Sequence, residues 1–217
     1  MKGYRGLSYW TLRIRKALVM ASIWHEGQRR KEANIPANAH FWGVSLLLAL
    51  SGADENTIIA GIFHDTLEDT PVKPEILGYH FGAEVLRIVQ AVTEPPAPMP
   101  WQERKETIIH RVSGADMKIK LVKCADKLDN LQSINEALKA EGFREGRDNS
   151  QAKIWLNFTG GYEKQKWYNR EILKALFAQV AIDDLPPIFG TYMRLTETVF
   201  GEKFISDEAA REKVISS

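Results

Sequence analysis

At 217 residues and 24.6 kDa the chain is the size of one domain, or of one domain with an appendage. With 44% hydrophobic and 26% charged residues it has the composition of an ordinary globular protein, which excludes disorder or a fibre for its bulk. A net charge of +1 gives no overall reason to bind nucleic acid or an anionic membrane, and the single cysteine, Cys124, excludes an internal disulfide framework and a cysteine-cage zinc site.

The N-terminal stretch MKGYRGLSYW lacks the apolar core of a signal peptide, so a cytoplasmic location is expected. Apolar residues at helical spacing (Leu12, Ala17, Met20, Ala21, Trp24) predict an amphipathic helix from Leu7 to about Gln28. Pro36 discourages a helix in the polar segment that follows. A second helix is expected from near His40 to Leu50. Its Phe41–Leu50 portion is the longest apolar stretch and is too short to cross a bilayer, so no membrane partner is expected either. Asp54 is a candidate N-cap for a third helix running to about Glu68. Pro71 and Pro74 break the pattern, and Ala83 to Val92 is a further amphipathic helix. Glu94 to Pro100 is a proline-rich loop, followed by a helix around Gln102 to Arg111 and a long one over Asp116 to Ala140. Glu141 to Ser150 reads as a surface loop and Lys153 to Val180 as a long helix that Gly160-Gly161 would interrupt. Pro186-Pro187 ends that region. Short helices over Ile188 to Phe200 and Asp207 to Ile215 would be an oligomer contact or a loose tail. No convincing strand is present, so the fold class is all-α. We divide it into a domain over 1–182 and a C-terminal helical extension or tail over 183–217.

The chemistry concentrates in Ile62-Phe63-His64-Asp65-Thr66-Leu67-Glu68-Asp69-Thr70. On a helix His64 and Glu68 are four apart, as are Asp65 and Asp69, so both pairs would face one pocket. An imidazole nitrogen beside a carboxylate suits a hard-to-borderline divalent metal. Further ligands must come from elsewhere, and His40 and Asp126 are candidates. Asp126 and Asn130 share a helical face between the apolar positions Val122, Ala125 and Leu128, and buried oxygens of this kind need a partner. Taken singly, each of these residues is more often an ordinary core or surface residue. Their joint occurrence in this order is not.

The order His40, His64-Asp65, Asp126 resembles the HD-domain superfamily of metal-dependent phosphohydrolases. It is similar in particular to the hydrolase domain of the RelA/SpoT group and its small stand-alone relatives. The stretches that carry this are His25-x-x-Gln28-x-Arg30-Lys31, the run 64–70, His80-Phe81-Gly82-x-Glu84-Val85, Glu103-Arg104-Lys105 and Lys123-x-Ala125-Asp126-Lys127-Leu128-x-Asn130-Leu131. The resemblance implies an HD-domain helical bundle in which His40, His64, Asp65 and Asp126 hold one metal, most often manganese. It implies that Glu68 and Asp69 activate or position the attacking water, that Arg30 and Lys31 face substrate phosphates, and that Asn130 holds the ribose or phosphate side. Tyr168 is a candidate base-stacking residue, with a core aromatic as the competing reading. The implied substrate is a small nucleotide, guanosine tetra- or pentaphosphate, cleaved at its 3′-pyrophosphate. Three positions depart from the family pattern: Ala37 replaces a tyrosine, Phe41 a proline and Gln132 an arginine. They point to a retuned pocket, with another nucleotide or phosphorylated cofactor, or a non-catalytic nucleotide sensor, as the alternatives.

Overall fold

The computed structural model describes residues 10–30, 35–205, 212 and 214. Among the described residues, ten α-helices follow one another in the order α1 Leu12–Trp24, α2 Asn38–Leu50, α3 Glu55–Ile62, α4 Thr66–Asp69, α5 Pro74–Phe81, α6 Ala83–Val92, α7 Trp101–Ser113, α8 Met117–Ala140, α9 Gly161–Phe177 and α10 Pro187–Phe200. Among the described residues there is no strand, only an isolated bridge between Arg29 and Pro36. No described helix is long and apolar enough to cross a membrane.

Local chemistry sets where the helices start. Thr11 caps α1 by accepting from the Ile14 amide at 3.1 Å, Asp54 caps α3 through the Thr57 amide at 2.8 Å, and Asp116 caps α8 through the Ile119 amide at 3.2 Å. The break expected at Pro71 and Pro74 spans residues 70–73, after α4 ends at Asp69; Pro74 itself occupies the first turn of α5, where its missing N–H costs nothing, so a further helix forms over Pro74–Phe81. The expected long helix over 153–180 is divided at Gly160-Gly161. A 3-10 turn, Lys153–Asn157, lies before the pair and α9 after it, and Gly160 takes the left-handed φ of 83° that a residue with a Cβ resists.

The 24 residues of α8 make a rod about 36 Å long at the usual helical rise. It is the hub of the bundle: α2, α3, α6, α7, α9 and α10 all pack on it. Its apolar positions, among them Ile119, Val122, Leu128 and Leu131, are buried. The segment after Pro187 is no loose tail. Ile188, Phe189, Tyr192 and Met193 of α10 are buried in the same core, and the Tyr192 hydroxyl donates to Asn169 Oδ1 at 2.7 Å. Of the helix expected over Asp207 to Ile215, only positions 212 and 214 lie inside the described residues, both helical.

Candidate metal centre

The helix expected to run from Asp54 to Glu68 is interrupted. Residues 63–65 form a turn between α3 and α4, closed by the His64 ring, whose Nδ1 donates to the Gly61 carbonyl at 2.7 Å. The interruption has a chemical consequence. Adjacent residues on a continuous helix diverge by about 100°, whereas the turn sends His64 and Asp65 to the same point, His64 Nε2 lying 3.1 Å from Asp65 Oδ2. The i, i+4 pairing expected of 64 with 68 and of 65 with 69 is therefore not what builds the site.

His40 enters from the first turn of α2. Its Nε2 lies 3.0 Å from His64 Nε2, 3.6 Å from Asp65 Oδ2 and 3.7 Å from Asp126 Oδ1. His40, His64 and Asp65 form a group with metal-binding spacing, and Asp126 Oδ1 stands 3.9 Å from His64 Nε2. The outer nitrogen of each ring is engaged: His64 Nδ1 by the Gly61 carbonyl, His40 Nδ1 by Asp129 Oδ2 at 2.6 Å. A carbonyl and a carboxylate only accept, so both neutral rings carry their proton on Nδ1 and aim bare Nε2 lone pairs at each other. Two lone pairs and two carboxylates converging on one point fit a divalent cation. Burial opposes charge on His64, but Asp65 and Asp126 overcome it and raise its pKa to about 9. Without a metal the two carboxylates thus favour a proton on this ring, which a bound cation would displace.

Asp126 stays ionised although buried. Burial alone would raise its pKa; Lys123, with Nζ 3.0 Å from Oδ2, and Lys127, at 3.4 Å, pull it well below the usual carboxylate range. Asn130 Nδ2 donates to Asp126 Oδ1 at 2.5 Å. Asp129 can reach His40 because α2 carries Gly43 at the crossing. A Cβ there would run into Asp129 Oδ1.

Glu68 stands at the rim, its Oε1 accepting from the Glu94 amide at 2.7 Å. Although the residue is exposed overall, its carboxyl turns into a crowded recess. Lost hydration and the Asp65 charge raise its pKa to about 7, against the pull of Lys123 and the Glu94 amide. Beside it opens a polar cavity of about 310 Å³, lined by Glu68, Asp69, Glu94, Arg104, Lys105, Lys127, Asn130 and Tyr168 among others. Lys105 pairs with Glu94 and sits 4.7 Å from the Tyr168 ring centre. Burial, and then repulsion from Lys127, lower its pKa to about 8.

Not every expected site residue presents itself to this cavity. Arg30 is buried against α8, its guanidinium donating to Asn130 Oδ1 at 2.9 Å and standing 3.4 Å from Asp129 Oδ2. Lys31 lies outside the described residues. Tyr168 is 2% exposed, with Lys105 and Lys127 against its ring, so the ring is a wall of the cavity and not an open stacking platform; its hydroxyl has no hydrogen-bond partner. Gln132 lines a different cavity, against α10, which removes it from nucleotide selection at this site. The stretch His25-x-x-Gln28 has a structural task. His25 bonds Gln28 Oε1 at 2.7 Å and meets Thr66 Oγ1 at 3.3 Å, while Gln28 donates to the Asp69 carbonyl at 2.8 Å. This clamps α4, with Glu68 and Asp69, to the end of α1. Sequence reasoning missed Asp129, Lys123, Lys127, Lys105 and Glu94 as site residues. Lys105, Lys123, Lys127 and Asp129 lay within stretches already singled out; Glu94 carried no comparable signal.

Comparison with known proteins gives a consistent result. The model of the HD domain matches residues 17–159. The guanosine-3′,5′-bis(diphosphate) 3′-pyrophosphohydrolase MESH1 of Xenopus tropicalis is 36% identical over 137 residues, 62% of this chain and 75% of that protein. The human protein of the same name is 33% identical over 158 residues, 71% of this chain and 87% of that one. A solved structure described as a metazoan ortholog of SpoT that hydrolyzes ppGpp superposes with a TM-score of 0.66 at 26% identity, covering 86% of this chain and 97% of that one.

Proposed function

We propose a reaction for a chain that belongs to the HD-domain family: hydrolytic removal of the 3′-pyrophosphate from guanosine tetra- or pentaphosphate, giving GDP or GTP and pyrophosphate. The observation that carries the reading is the convergence of His40 Nε2, His64 Nε2, Asp65 and Asp126 next to Glu68 at the mouth of a cation-lined cavity. These four residues would hold the metal, and manganese is the ion we assign, on the family resemblance and the mixed nitrogen–oxygen donor set. When bound, such an ion acidifies water and neutralises phosphoryl charge.

The chain's own groups supply the rest. Water oxygen forms a bond to the phosphorus next to the ribose, and the bond from that phosphorus to the 3′-oxygen breaks. Glu68, whose carboxyl is pushed above the usual carboxylate range by burial and the Asp65 charge, takes the proton from the water; a proton returns to the 3′-oxygen of the product. Asp69 lines the same cavity and positions the water. Lys105, Lys127 and Arg104 meet the charge of the diphosphate, and Asn130 and the Tyr168 hydroxyl offer hydrogen bonds to the sugar or phosphate.

The test is pyrophosphate release from guanosine tetraphosphate by the purified chain, with manganese and after chelation. Release should need the metal and vanish in Asp65→Ala. Glu68→Gln should retain metal while losing roughly 10²–10⁴ in rate, the usual share of a general base. No release by a preparation loaded with metal would overturn the assignment of this substrate.

A further inference from the structure

We infer that a second ligand site lies on the far side of α8 from the metal centre, and that it takes a nucleoside phosphate. A cavity of about 720 Å³, within the size range of small-molecule sites, opens between the C-terminal half of α8, the segment 141–152 and α10. Gln132 and Asn135 of its wall follow Asp126 by six and nine residues, which is about 240° and 180° around the helix. One rod thus carries metal ligands on one face and this cavity on the other. The wall opposite comes from Thr191, Arg194 and Thr198 of α10, beyond the stretch 17–159 that matches the family.

Two independent features of the cavity point to a ligand. The first is a buried acceptor. Asn149 is 6% exposed and lines the cavity; its Nδ2 donates to the Val199 carbonyl at 2.7 Å, which fixes the amide, and its Oδ1 is buried with no hydrogen-bond partner. A buried acceptor without a donor is costly, and a ligand N–H or O–H satisfies it. The second is unbalanced charge. Lys139, Arg144 and Arg194 line the cavity and are exposed, and none has a carboxylate partner among the described residues. The guanidinium of Arg194 meets only Thr191 Oγ1, at 3.4 Å, and that of Arg144 only its neighbour's carbonyl, at 3.1 Å. The one acid in the wall, Glu145, accepts from Thr198 at 3.3 Å. Leu128, Phe143 and Leu195 contribute apolar wall to the same cavity. A ligand that fits has a donor-bearing flat ring for Asn149 and the apolar wall, and phosphates for the arginines, whose forked donors match phosphate oxygens. That is a nucleoside phosphate. The site does not depend on which substrate the metal centre cleaves.

The experiment is calorimetric titration of the full chain with ATP and with GTP, each in the absence of divalent ions. The double variant Arg144→Glu/Arg194→Glu and the single variant Lys105→Ala, which changes the first cavity, are titrated alongside. Both arginines are exposed, so unfolding temperatures should match the wild type. At least one nucleotide should bind with a micromolar dissociation constant. Reversing two phosphate-facing charges should weaken that binding by about tenfold or more, while Lys105→Ala leaves it in place. Pyrophosphate release by the double variant should stay within about twofold of wild type, since neither arginine touches the metal centre. Absence of binding at about 1 mM of either nucleotide, or binding that survives the double variant and disappears in Lys105→Ala, would overturn the site.

Discussion

Replacing Asp129 with alanine should loosen the metal centre by one to two orders of magnitude without removing a metal ligand. Asp129 Oδ2 accepts from His40 Nδ1 at 2.6 Å, and Arg30 stands 3.4 Å from the same oxygen. The carboxylate holds the imidazole in the tautomer that bares Nε2, and it raises the basicity of that nitrogen. A hydrogen bond to a charged group contributes about 1.5–3 kcal/mol, which corresponds to roughly 10–100-fold at about 1.4 kcal/mol per decade. That range also describes the loss usually seen when a carboxylate behind a metal-bound histidine is removed. Arg30 keeps its hydrogen bond to Asn130. Asp129→Asn keeps an acceptor oxygen but not the charge, and should fall between wild type and alanine. The assay is a manganese titration of the three proteins, with turnover measured at saturating metal. The dissociation constant should rise 10–100-fold in the alanine variant, and turnover at saturating metal should largely recover. A dissociation constant within twofold of wild type, in a protein with unchanged melting temperature, would refute the idea that Asp129 orients His40.

Three further outcomes follow from the same geometry. Lys105 is protonated below its pKa of about 8, so binding of an anionic substrate should be strong below that pH and weaken as pH rises through it; Lys105→Arg should flatten the profile, and a KM constant from about pH 7 to 9.5 would contradict the role. Asp126→Asn strands the buried Lys123 ammonium, so the metal-free protein should lose about 3–5 kcal/mol, a fall in melting temperature on the order of 10 °C, read by thermal unfolding in chelator. Gly43→Ala pushes a methyl group against Asp129 and should cost about 1–3 kcal/mol of stability together with weaker manganese binding; a stable protein with full metal affinity would show that α2 and α8 separate freely.

Much of the fold was legible because periodicity and caps act locally. Ala83–Val92 and the long helix ending at Ala140 run as expected, and Asp54 caps α3. The failures are also physical. The break at Pro71 and Pro74 is present at residues 70–73, but the helix that Pro74 then starts, Pro74–Phe81, was not expected. The turn at residues 63–65 was hidden because the run around it has helical propensity, and what ends the helix is a side chain, His64, bonding back to the Gly61 carbonyl. The choice of His40, His64, Asp65 and Asp126 did not depend on that error, since it rested on their order along the chain, and the structure brings the four together.

What the sequence could not supply is the set of contacts that only a helix crossing creates. Asp126 and Asn130 were found by looking for oxygens four apart on one face, a rule internal to α8. Asp129 falls outside that rule. It acquires its role 89 residues away, at His40, because a glycine on α2 lets the two backbones approach. Lys123 and Lys127 were given no role of their own in the sequence reading. Burial turns them into counterions that keep Asp126 ionised before any metal arrives. An acid so compensated can sit in the core of a bundle as a permanent ligand, which resolves the conflict between an apolar helix interior and a site that needs charge.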